Sequence, residues 1–451
     1  MSVLSKAARP FVSFVERYYP DPFIFAISLT FIVVVLALML TPAGPVEVLG
    51  AWGDGLKNLL EFMTQIGLTL ITAHALAHTG PVRRFLTRIC SVPRTPFQAY
   101  FFVTFVGHMA SLFSWGLGLI VGALMAQGVA TVAKKRGMKL HYPLLVASAY
   151  AGWLVWHMGY SSSAGLFVAT PGHALEDMLG GTIPVTEMIF APWNLVTILV
   201  MVIAIPTTCA LMHPQAQIEE IADGAMAGHG EEEDDGLPDL PTTFGERLDD
   251  SRVFNLGIGG MLLAYLVYWF ATMGFELTLN IVNWTFLALG LLLAKNAVHY
   301  VRLVANASGT VGQVLLQFPF YAGMMGIMIT TGLAGVIAEW FGTFATAETL
   351  PFWAFISGGL INMFVPSGGG QWSVQGPIFI EAAQALGTEP ARIVMGVAYG
   401  DQWTNMLQPF WTIPILAIAG LHMRAIMGYC FVVFVSAGLV LGGSLLIIGG
   451  G

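Results

Sequence analysis

Ser357-Gly-Gly-Leu-Ile-Asn-Met-Phe-Val-Pro-Ser-Gly-Gly-Gly-Gln-Trp-Ser-Val-Gln-Gly-Pro377, followed by Ala398-Tyr-Gly-Asp-Gln-Trp-Thr-Asn-Met-Leu-Gln-Pro-Phe-Trp411, decides how the chain reads. Six glycines and two prolines fall in the first 21 residues, inside a region as apolar as a membrane span. A plain helix through it would lose hydrogen bonds that lipid cannot replace, so this backbone must be buried in protein or line a wet cavity. Polar side chains gather at the interruption: Ser367, Gln371, Gln375, Asp401, Asn405 and Gln408. That clustering favours a binding site over the plainer alternative, a kinked, glycine-rich helix pair with no ligand.

The rest of the chain agrees with a membrane setting. Of 451 residues, 56% are hydrophobic and only 10% charged, where a soluble domain would have about a quarter charged. Windows of about 20 apolar residues recur, and alternating strand-length segments do not, which points to helices and away from an outer-membrane barrel. The first 22 residues carry Lys6, Arg9 and Arg17 without a short apolar core and cleavage site, so the first span is expected to be retained. The net charge of −8 belongs to one segment: residues 213–252 hold 12 of the 26 acids and two bases, leaving 14 acids against 16 bases elsewhere. Cys90, Cys209 and Cys430 lack metal spacing and read as unpaired apolar residues.

Taken in order, residues 23–41 read as a first span entered through Pro20-Asp-Pro22, with Asp21 placed to cap it. Val46 to Phe62 carries Glu47, Asp54, Lys57 and Glu61 opposite its apolar face and reads as a helix along the interface, leading to a span at 62–80. Basic clusters (Arg83, Arg84, Arg88, Arg94; then Lys134, Lys135, Arg136, Lys139) flank the pair 97–133, interrupted at Ser114-Trp-Gly-Leu-Gly118. By the positive-inside rule this is a hairpin from the cytoplasmic side, either re-entrant or fully crossing. The stretch 142–170 exceeds the ~20 residues a crossing needs, and its surplus lies at Gly159-Tyr-Ser-Ser-Ser-Ala-Gly165, a second break. After a span at 188–212, the acidic segment 213–252 reads as a disordered cytoplasmic linker. Spans at 253–273, 279–297 and 317–338, a hairpin 351–387 bounded by Glu348 and Glu389, a broken span 390–421 and a last span 425–448 complete the chain. The expectation is an all-α polytopic membrane protein with about nine crossings plus two re-entrant hairpins, N-terminus cytoplasmic and C-terminus periplasmic.

Self-similarity organises these elements further. Ala149-Tyr-Ala-Gly-Trp153 and Ala398-Tyr-Gly-Asp-Gln402 lie 249 residues apart, and Thr79-Gly80 and Thr331-Gly332 lie 252 apart. The chain divides accordingly into a first repeat (1–212), the linker (213–252), a connecting helix (253–278) and a second repeat (279–451). The intervening crossing turns the second copy over, so the repeat is inverted, with one hairpin opening inward and the other outward. Such repeats place substrate and coupling ion near the midplane, where half-helix N-termini offer N–H groups to an anion.

The phrases Val365-Pro-Ser-Gly-Gly-Gly370 with Trp372 and Gln375-Gly-Pro377, Ala398-Tyr-Gly-Asp-Gln-Trp403, Gln408-Pro-Phe-Trp411, Gln317-Phe-Pro-Phe-Tyr-Ala-Gly323 and Trp52-Gly-Asp-Gly55 resemble the bacterial short-chain fatty acid transporter family of the AtoE type, from about residue 17 to the C-terminus. The resemblance implies inner-membrane transport of small monocarboxylates such as acetoacetate or butyrate. Through kinship with the wider ion-transporter superfamily it also implies two broken helices, an elevator-type movement and a homodimer.

Read from the residues, the expected pocket joins the hairpin tips and the helix breaks. Ser114, Trp115 and Gly116 come from the first tip; Ser367, Gly368, Gly369, Gly370 and Gln371 come from the second; Ser161, Ser162, Ser163, Asn405 and Gln408 come from the breaks. Hydroxyls and bare glycine N–H groups hold a carboxylate without a fixed cation. No Lys or Arg lies well inside a predicted span, which favours a small, singly charged acid over a dicarboxylate or phosphate ester. Trp115, Trp372 and Trp403 are candidates to wall an aliphatic tail, or are packing and interfacial residues.

Asp401 is the single carboxylate well inside a predicted span, where an unpaired charge costs at least ~2.5 kcal/mol. It either takes a proton, helps hold Na⁺ with Asn362, or simply caps the second half-helix. His157 is a weaker candidate for a proton relay beside His108, and His74 with His78, four apart, lack a third metal ligand. No cofactor, metal or nucleic-acid partner is expected beyond a coupling H⁺ or Na⁺. The leading reading is a cation-coupled symporter; a channel or exchanger for small organic anions is the first competitor. An enzyme is not expected: a membrane-embedded hydrolase would use Ser367, which lies outside a Gly-x-Ser-x-Gly phrase, and no Gly-x-x-x-x-Gly-Lys-Ser/Thr phrase supports ATP-driven pumping.

Overall fold

A computed structural model describes residues 10, 17–214, 216–222, 243–274 and 278–449. Among them every regular element is a helix. The first half runs α1 (Pro22–Leu40), α2 (Pro45–Gly55), α3 (Leu60–His78), α4 (Gly80–Cys90), α5 (Pro96–Phe113), α6 (Trp115–Lys135), α7 (Tyr142–Ala151), α8 (Ser163–Ala169), α9 (Glu176–Leu179) and α10 (Pro192–Leu211). Next come α11 (Phe244–Asp250) and α12 (Arg252–Met273). The second half runs α13 (Leu279–Leu293), α14 (Ala297–Ala307), α15 (Gly312–Thr330), α16 (Leu333–Gly342), α17 (Leu350–Asn362), α18 (Gly368–Leu386), α19 (Pro390–Thr404), α20 (Pro409–Ala419) and α21 (Met423–Gly449).

Local chemistry sets these boundaries. Pro22, Pro45, Pro96, Pro192, Pro390 and Pro409 each open a helix, where a missing N–H costs nothing. Asp21 caps α1 by accepting the Phe23 N–H at 2.9 Å. Gly332, Gly387 and Gly420, with φ of 73°, 76° and 68°, turn the chain through the left-handed region that glycine tolerates. Thr243 and Glu246 form a reciprocal capping box at α11.

Seven segments among the described residues are long and apolar enough to cross a membrane: 22–40, 45–78, 115–135, 192–211, 252–273, 312–330 and 423–447. Three expected crossings differ for identifiable reasons. The stretches 142–170 and 390–421 are interrupted, and α13 has 15 residues, about 22 Å of helix. The helix expected along the interface from Val46 to Phe62 stops at Gly55; one face packs against α15, and Val46 and Leu49 are exposed. A further helix, α4, forms where only a basic cluster was read.

The acidic segment is partly ordered. His141 Nδ1 accepts from the Glu219 N–H at 3.0 Å, Tyr142 N–H donates to the Glu219 carbonyl at 2.7 Å, and Lys134 Nζ donates to the Ile221 carbonyl at 2.8 Å. Its start therefore docks on the base of the α6–α7 turn, and its end forms α11. The acidic run Glu231-Glu-Glu-Asp-Asp235, expected to be disordered, lies outside the described residues.

Two bundles result. One contains α1, α2, α3 and α12 to α15; the other contains α5 to α8, α10 and α17 to α21, with α16 and α20 touching both. Glycine lets helices approach closely in each. A Cβ on Gly400 would sit 2.2 Å from the Phe355 carbonyl oxygen, one on Gly396 2.6 Å from that of Pro351, and one on Gly358 2.8 Å from that of Val397. Gly396 and Gly400, four residues apart, thus press α19 against the backbone of α17, the small-xxx-small geometry of membrane helix pairs. Trp52-Gly-Asp-Gly55 meets Gln317 to Gly326 in the same way: a Cβ on Gly323 would lie 2.8 Å from the Trp52 indole, and one on Gly326 2.5 Å from the Ala51 carbonyl oxygen.

Gly400→Ala must push α17 and α19 apart, and overpacking of this kind costs about 1–3 kcal/mol. The variant is expected to lose most monodisperse protein in fluorescence-detected gel filtration and to melt lower. Gly443→Ala, where a Cβ meets nothing within 4 Å, is expected to behave as the parent.

Candidate functional site

Both hairpins turn on a serine in extended conformation: Ser114 (φ −150°, ψ 125°) between α5 and α6, and Ser367 (φ −151°, ψ 101°) before α18. Neither hydroxyl caps the helix that follows it. Both long helices α7 to α8 and α19 to α20 are interrupted by a single 3₁₀ turn, at Trp156–Met158 and Asn405–Leu407.

The first tip folds back onto the first break. Trp115 N–H donates to Ser161 Oγ at 3.0 Å, and Tyr160 N–H donates to the Leu112 carbonyl at 2.7 Å. Gly159 lies so close that a Cβ would stand 2.2 Å from the Leu112 oxygen. Trp153 Nε1–H donates to the Trp115 carbonyl at 2.9 Å, and Trp411 of the second half meets both indoles, 4.8 Å from Trp153 and 5.6 Å from Trp115 between ring centroids. Gly116 faces Leu279 of α13 and not the second tip.

The second tip crosses to the other half. A Cβ on Gly368 would lie 2.9 Å from the His157 ring and 3.0 Å from Trp156, and one on Gly369 4.0 Å from Ser163 Cβ. Ser367, Gly368, Gly369 and Gly370 are half-buried, as are Ser161 and Ser163, whereas Ser162 is buried and caps α8 through the Gly165 N–H at 3.3 Å. The α18 first turn, three glycines without a side-chain cap, thus presents backbone N–H groups beside serine hydroxyls.

Beneath this rim sits a buried cluster of amides around Asp401. Asn362 Nδ2–H donates to the Asp401 carbonyl at 2.8 Å, to Thr404 Oγ1 at 3.0 Å and to Asn405 Oδ1 at 2.7 Å. Gln408 Nε2–H donates to the Asn362 carbonyl at 2.7 Å, and Asn405 Nδ2–H reaches Asp401 Oδ1 at 3.4 Å. One turn back, Gln371 Nε2–H donates to the Gly358 carbonyl at 2.7 Å and to Gln375 Oε1 at 2.9 Å, while Gln375 Nε2–H donates to Ser357 Oγ at 3.0 Å. A backbone carbonyl only accepts, so these bonds fix which end of Asn362, Gln371 and Gln408 is nitrogen. Their oxygens, Asn362 Oδ1, Gln371 Oε1 and Gln408 Oε1, together with Asp401 Oδ2, are buried and find no donor among the described residues.

His157 links the halves. Its Nδ1 meets the Ala398 carbonyl at 3.1 Å, its Nε2 accepts from the Ala164 N–H at 3.2 Å, and its backbone N–H donates to Gln402 Oε1 at 3.0 Å. One ring nitrogen faces an acceptor and the other a donor, the pattern of a neutral imidazole held in place. Trp156 stacks on it at 4.0 Å. His74 and His78 stack at 4.2 Å, and no group of three metal-ligating His, Cys, Asp or Glu residues occurs among the described residues.

Sequence reading missed the tyrosines that stitch the two breaks together. Tyr150 of α7 donates to the Asn405 carbonyl in the second break. Tyr399 of α19 donates to Asn194 Oδ1 at 2.5 Å, and Asn194 Nδ2–H in turn donates to the Met158 carbonyl in the first break at 3.0 Å. Tyr150 and Tyr399 stand in two similar phrases 249 residues apart, and Asn194 is the single amide in α10, a signal in itself. Of the alternatives open for Trp372 and Trp403, their surroundings are those of packing residues: Trp372 is buried beside Gly376, and Trp403 donates to the Phe434 carbonyl at 2.7 Å.

The profile described as "Short chain fatty acid transporter" matches residues 3–448. A protein of Escherichia coli (strain K12) named "Putative short-chain fatty acid transporter" is 42% identical over 439 residues, 97% of this chain and 98% of that one. One of the same name from Haemophilus influenzae is 39% identical over 434 residues, 95% and 96% of the two chains. The Alcanivorax borkumensis YdaH transporter structure aligns over 96% of this chain and 98% of its own at 15% identity and a TM-score of 0.43, too distant to bear on the fold. By profile and by identity over nearly its whole length, the chain belongs to the short-chain fatty acid transporter family, a family of membrane transporters and not of enzymes.

Proposed function

We propose that the protein is a secondary carrier of the bacterial inner membrane that moves short-chain monocarboxylates such as acetoacetate or butyrate in symport with Na⁺. One observation carries the coupling: three buried oxygens in the Asp401 network, Asn362 Oδ1, Gln408 Oε1 and the carboxylate oxygen Asp401 Oδ2, find no donor among the described residues. A proton on Asp401 would satisfy one of them. A hard cation takes several oxygens at once and is the better fit. With Asn362, Gln408 and Asp401 as its ligands, the cation also neutralises the carboxylate that burial alone would penalise.

The substrate carboxylate belongs on the half-buried rim, at the Gly368 to Gly370 N–H groups and the hydroxyls of Ser367, Ser161 and Ser163. The indoles of Trp153 and Trp156, stacked at 5.5 Å, flank it from the first break and suit a short aliphatic tail. His157 acts as a positioning residue for the second tip.

An inverted repeat and an elevator-type movement accompany this reading. In support, the 3₁₀ turns at Trp156–Met158 and Asn405–Leu407 stand 249 residues apart, the separation of Tyr150 and Tyr399. The order span, short helix, span, short helix, hairpin, broken helix, span is common to α1 to α10 and α13 to α21, and the tips and breaks all belong to one bundle. That bundle is the moving part; α1 to α3 and α12 to α15 are the scaffold. The exposed apolar faces of α1 and α12, with Phe31 67%, Met39 74% and Met261 69% exposed, are available to lipid and to a second copy.

In liposomes holding the purified chain, labelled butyrate is expected to accumulate under an inward Na⁺ gradient at constant pH. A pH gradient alone sufficing would overturn Na⁺ as the coupling ion, and unsaturable flux would make the protein a channel. Asp401→Asn is expected to lower accumulation at least tenfold while substrate exchange partly survives. Accumulation unchanged in that variant would remove Asp401 from coupling.

The glycines of the second tip provide an independent check. Gly368→Ala drives a methyl into the His157 and Trp156 rings, so uptake is expected to fall at least tenfold with gel-filtration behaviour retained. Gly369→Ala, with 4.0 Å to Ser163, is expected to keep most uptake. Equal effects of the two substitutions would separate the tip contact from function.

A further inference from the structure

Side chains take three carbonyls at the second break. Asn362 takes that of Asp401 and Tyr150 that of Asn405, and both donors belong to the bundle that carries the break. The third donor comes from elsewhere. Tyr19, in the segment that leads into α1, donates its hydroxyl to the carbonyl of Leu407, the last residue of the 3₁₀ turn, at 3.2 Å.

That phenol is carried stiffly by the scaffold. Tyr19 and Asp21 each precede a proline, which disfavours helical backbone and keeps the segment Pro20-Asp-Pro22 extended on its way into α1. The Tyr19 ring stacks on Phe25 of α1 at 5.3 Å, and Phe23 meets Phe320 of α15 edge-on at 5.0 Å. From the other bundle Arg424, near the start of α21, donates its Nε–H to the Tyr19 carbonyl at 2.8 Å. One residue is thus held from both sides. Beside it lies a cavity of about 530 Å³, to which Asp21 and Gln313 contribute from α1 and α15, and Ile413, Leu416 and Arg424 from α20 and α21.

We propose that Tyr19 is a positioning residue of the transport cycle, a latch through which the scaffold holds the second break in one of its two positions. The inference rests on the elevator-type reading above. A bundle that slides along the scaffold must part Tyr19 from the Leu407 carbonyl in every cycle. The freed carbonyl then needs another donor, and the adjoining cavity gives water a way to it. An ordinary net hydrogen bond is worth about fivefold in an equilibrium constant, so the latch biases the two positions without locking either. It acts one residue from Gln408, whose Nε2–H holds the Asn362 carbonyl, and so at the edge of the Asp401 network.

The test uses the full-length chain in lipid nanodiscs, with donor and acceptor dyes at Lys57→Cys, in the turn between α2 and α3, and at Glu381→Cys on α18. Both positions are exposed, while Cys90, Cys209 and Cys430 are buried. Single-molecule energy transfer is expected to show two distances in the parent. Tyr19→Phe, which removes the hydroxyl and keeps the ring, is expected to shift their ratio about fivefold away from the latched position. Arg424→Gln is expected to shift it the same way, and Tyr268→Phe, which alters an exposed tyrosine of α12, to leave it unchanged. Two distances whose ratio Tyr19→Phe leaves unchanged, or moves toward the latched position, would overturn the latch and leave the sliding movement standing; so would a shift that Tyr268→Phe reproduces. A single distance in the parent, with and without Na⁺ and butyrate, would overturn the movement itself and the latch with it.

Discussion

A helix that stops inside an apolar layer leaves N–H and carbonyl groups that neither lipid nor the next turn can take, and a set of buried polar side chains answers that demand at each break. At the first break Asn194 takes the Met158 carbonyl, Gln402 the His157 N–H, and His157 the Ala164 N–H. At the second, Tyr150 takes the Asn405 carbonyl and Asn362 the Asp401 carbonyl. Gln402 and His157 each reach across from one break to the other. Asn194 and Asn362 each serve one break, while Gln402 and Tyr150 serve the opposite one, so side-chain hydrogen bonds tie the two breaks together.

Amide side chains are short, so this arrangement needs helices whose backbones nearly touch. Gly358, Gly396 and Gly400 supply that between α17 and α19, and Gly107 and Gly152 do the same between α5 and α7, where a Cβ on Gly152 would fall 2.8 Å from Gly107 Cα. At ordinary helix spacing of 8–10 Å, Asn362 would not bridge the end of α17 to the Asp401 carbonyl. The glycines that looked like helix breakers in sequence are thus mostly contacts within intact helices; the interruptions themselves fall on Ser114, Ser367 and the two 3₁₀ turns.

This explains what the sequence disclosed and what it hid. Interruptions were legible because Pro-Ser-Gly-Gly-Gly and Gly-Tyr-Ser-Ser-Ser cannot continue an apolar helix, and the Asp401 cluster because one carboxylate in a span demands partners. The short α4 is hidden in the sequence because Arg83, Arg84 and Arg88 register as a topological marker before they register as a helix face. Contacts across 200 or more residues, such as Tyr399 to Asn194, leave no local trace beyond a polar residue in apolar company. For the same reason two roles stay open for Trp372 and Trp403 in the sequence: nothing local distinguishes a tryptophan lining a tip from one packed behind it.

The two breaks share a backbone plan but differ in what fills it. At the spacing of 249, Gly152, Trp153 and Trp156 stand opposite Asp401, Gln402 and Asn405, so a glycine and two indoles occupy the first half where a carboxylate and two amides occupy the second. The first break is accordingly an aromatic surface, with Trp153 and Trp156 stacked and Trp411 leaning in at 4.8 Å; beside the second, the nitrogens of Asn362 and Gln408 are committed to carbonyls while their oxygens and Asp401 Oδ2 find no donor among the described residues. On the proposed reading, a short-chain acid brings those same two needs in one small molecule, an apolar tail and a charge that travels with a cation. The second tip, laid against His157 of the first break and bonded through Gln371 to α17, is where the two chemistries adjoin, so occupancy of the oxygen cluster and the shape of the glycine rim are not independent. On the proposed reading that adjacency is the physical basis of coupling: a cation that gathers Asn362 and Gln408 also fixes the end of α17 from which the Ser367 to Gly370 rim hangs.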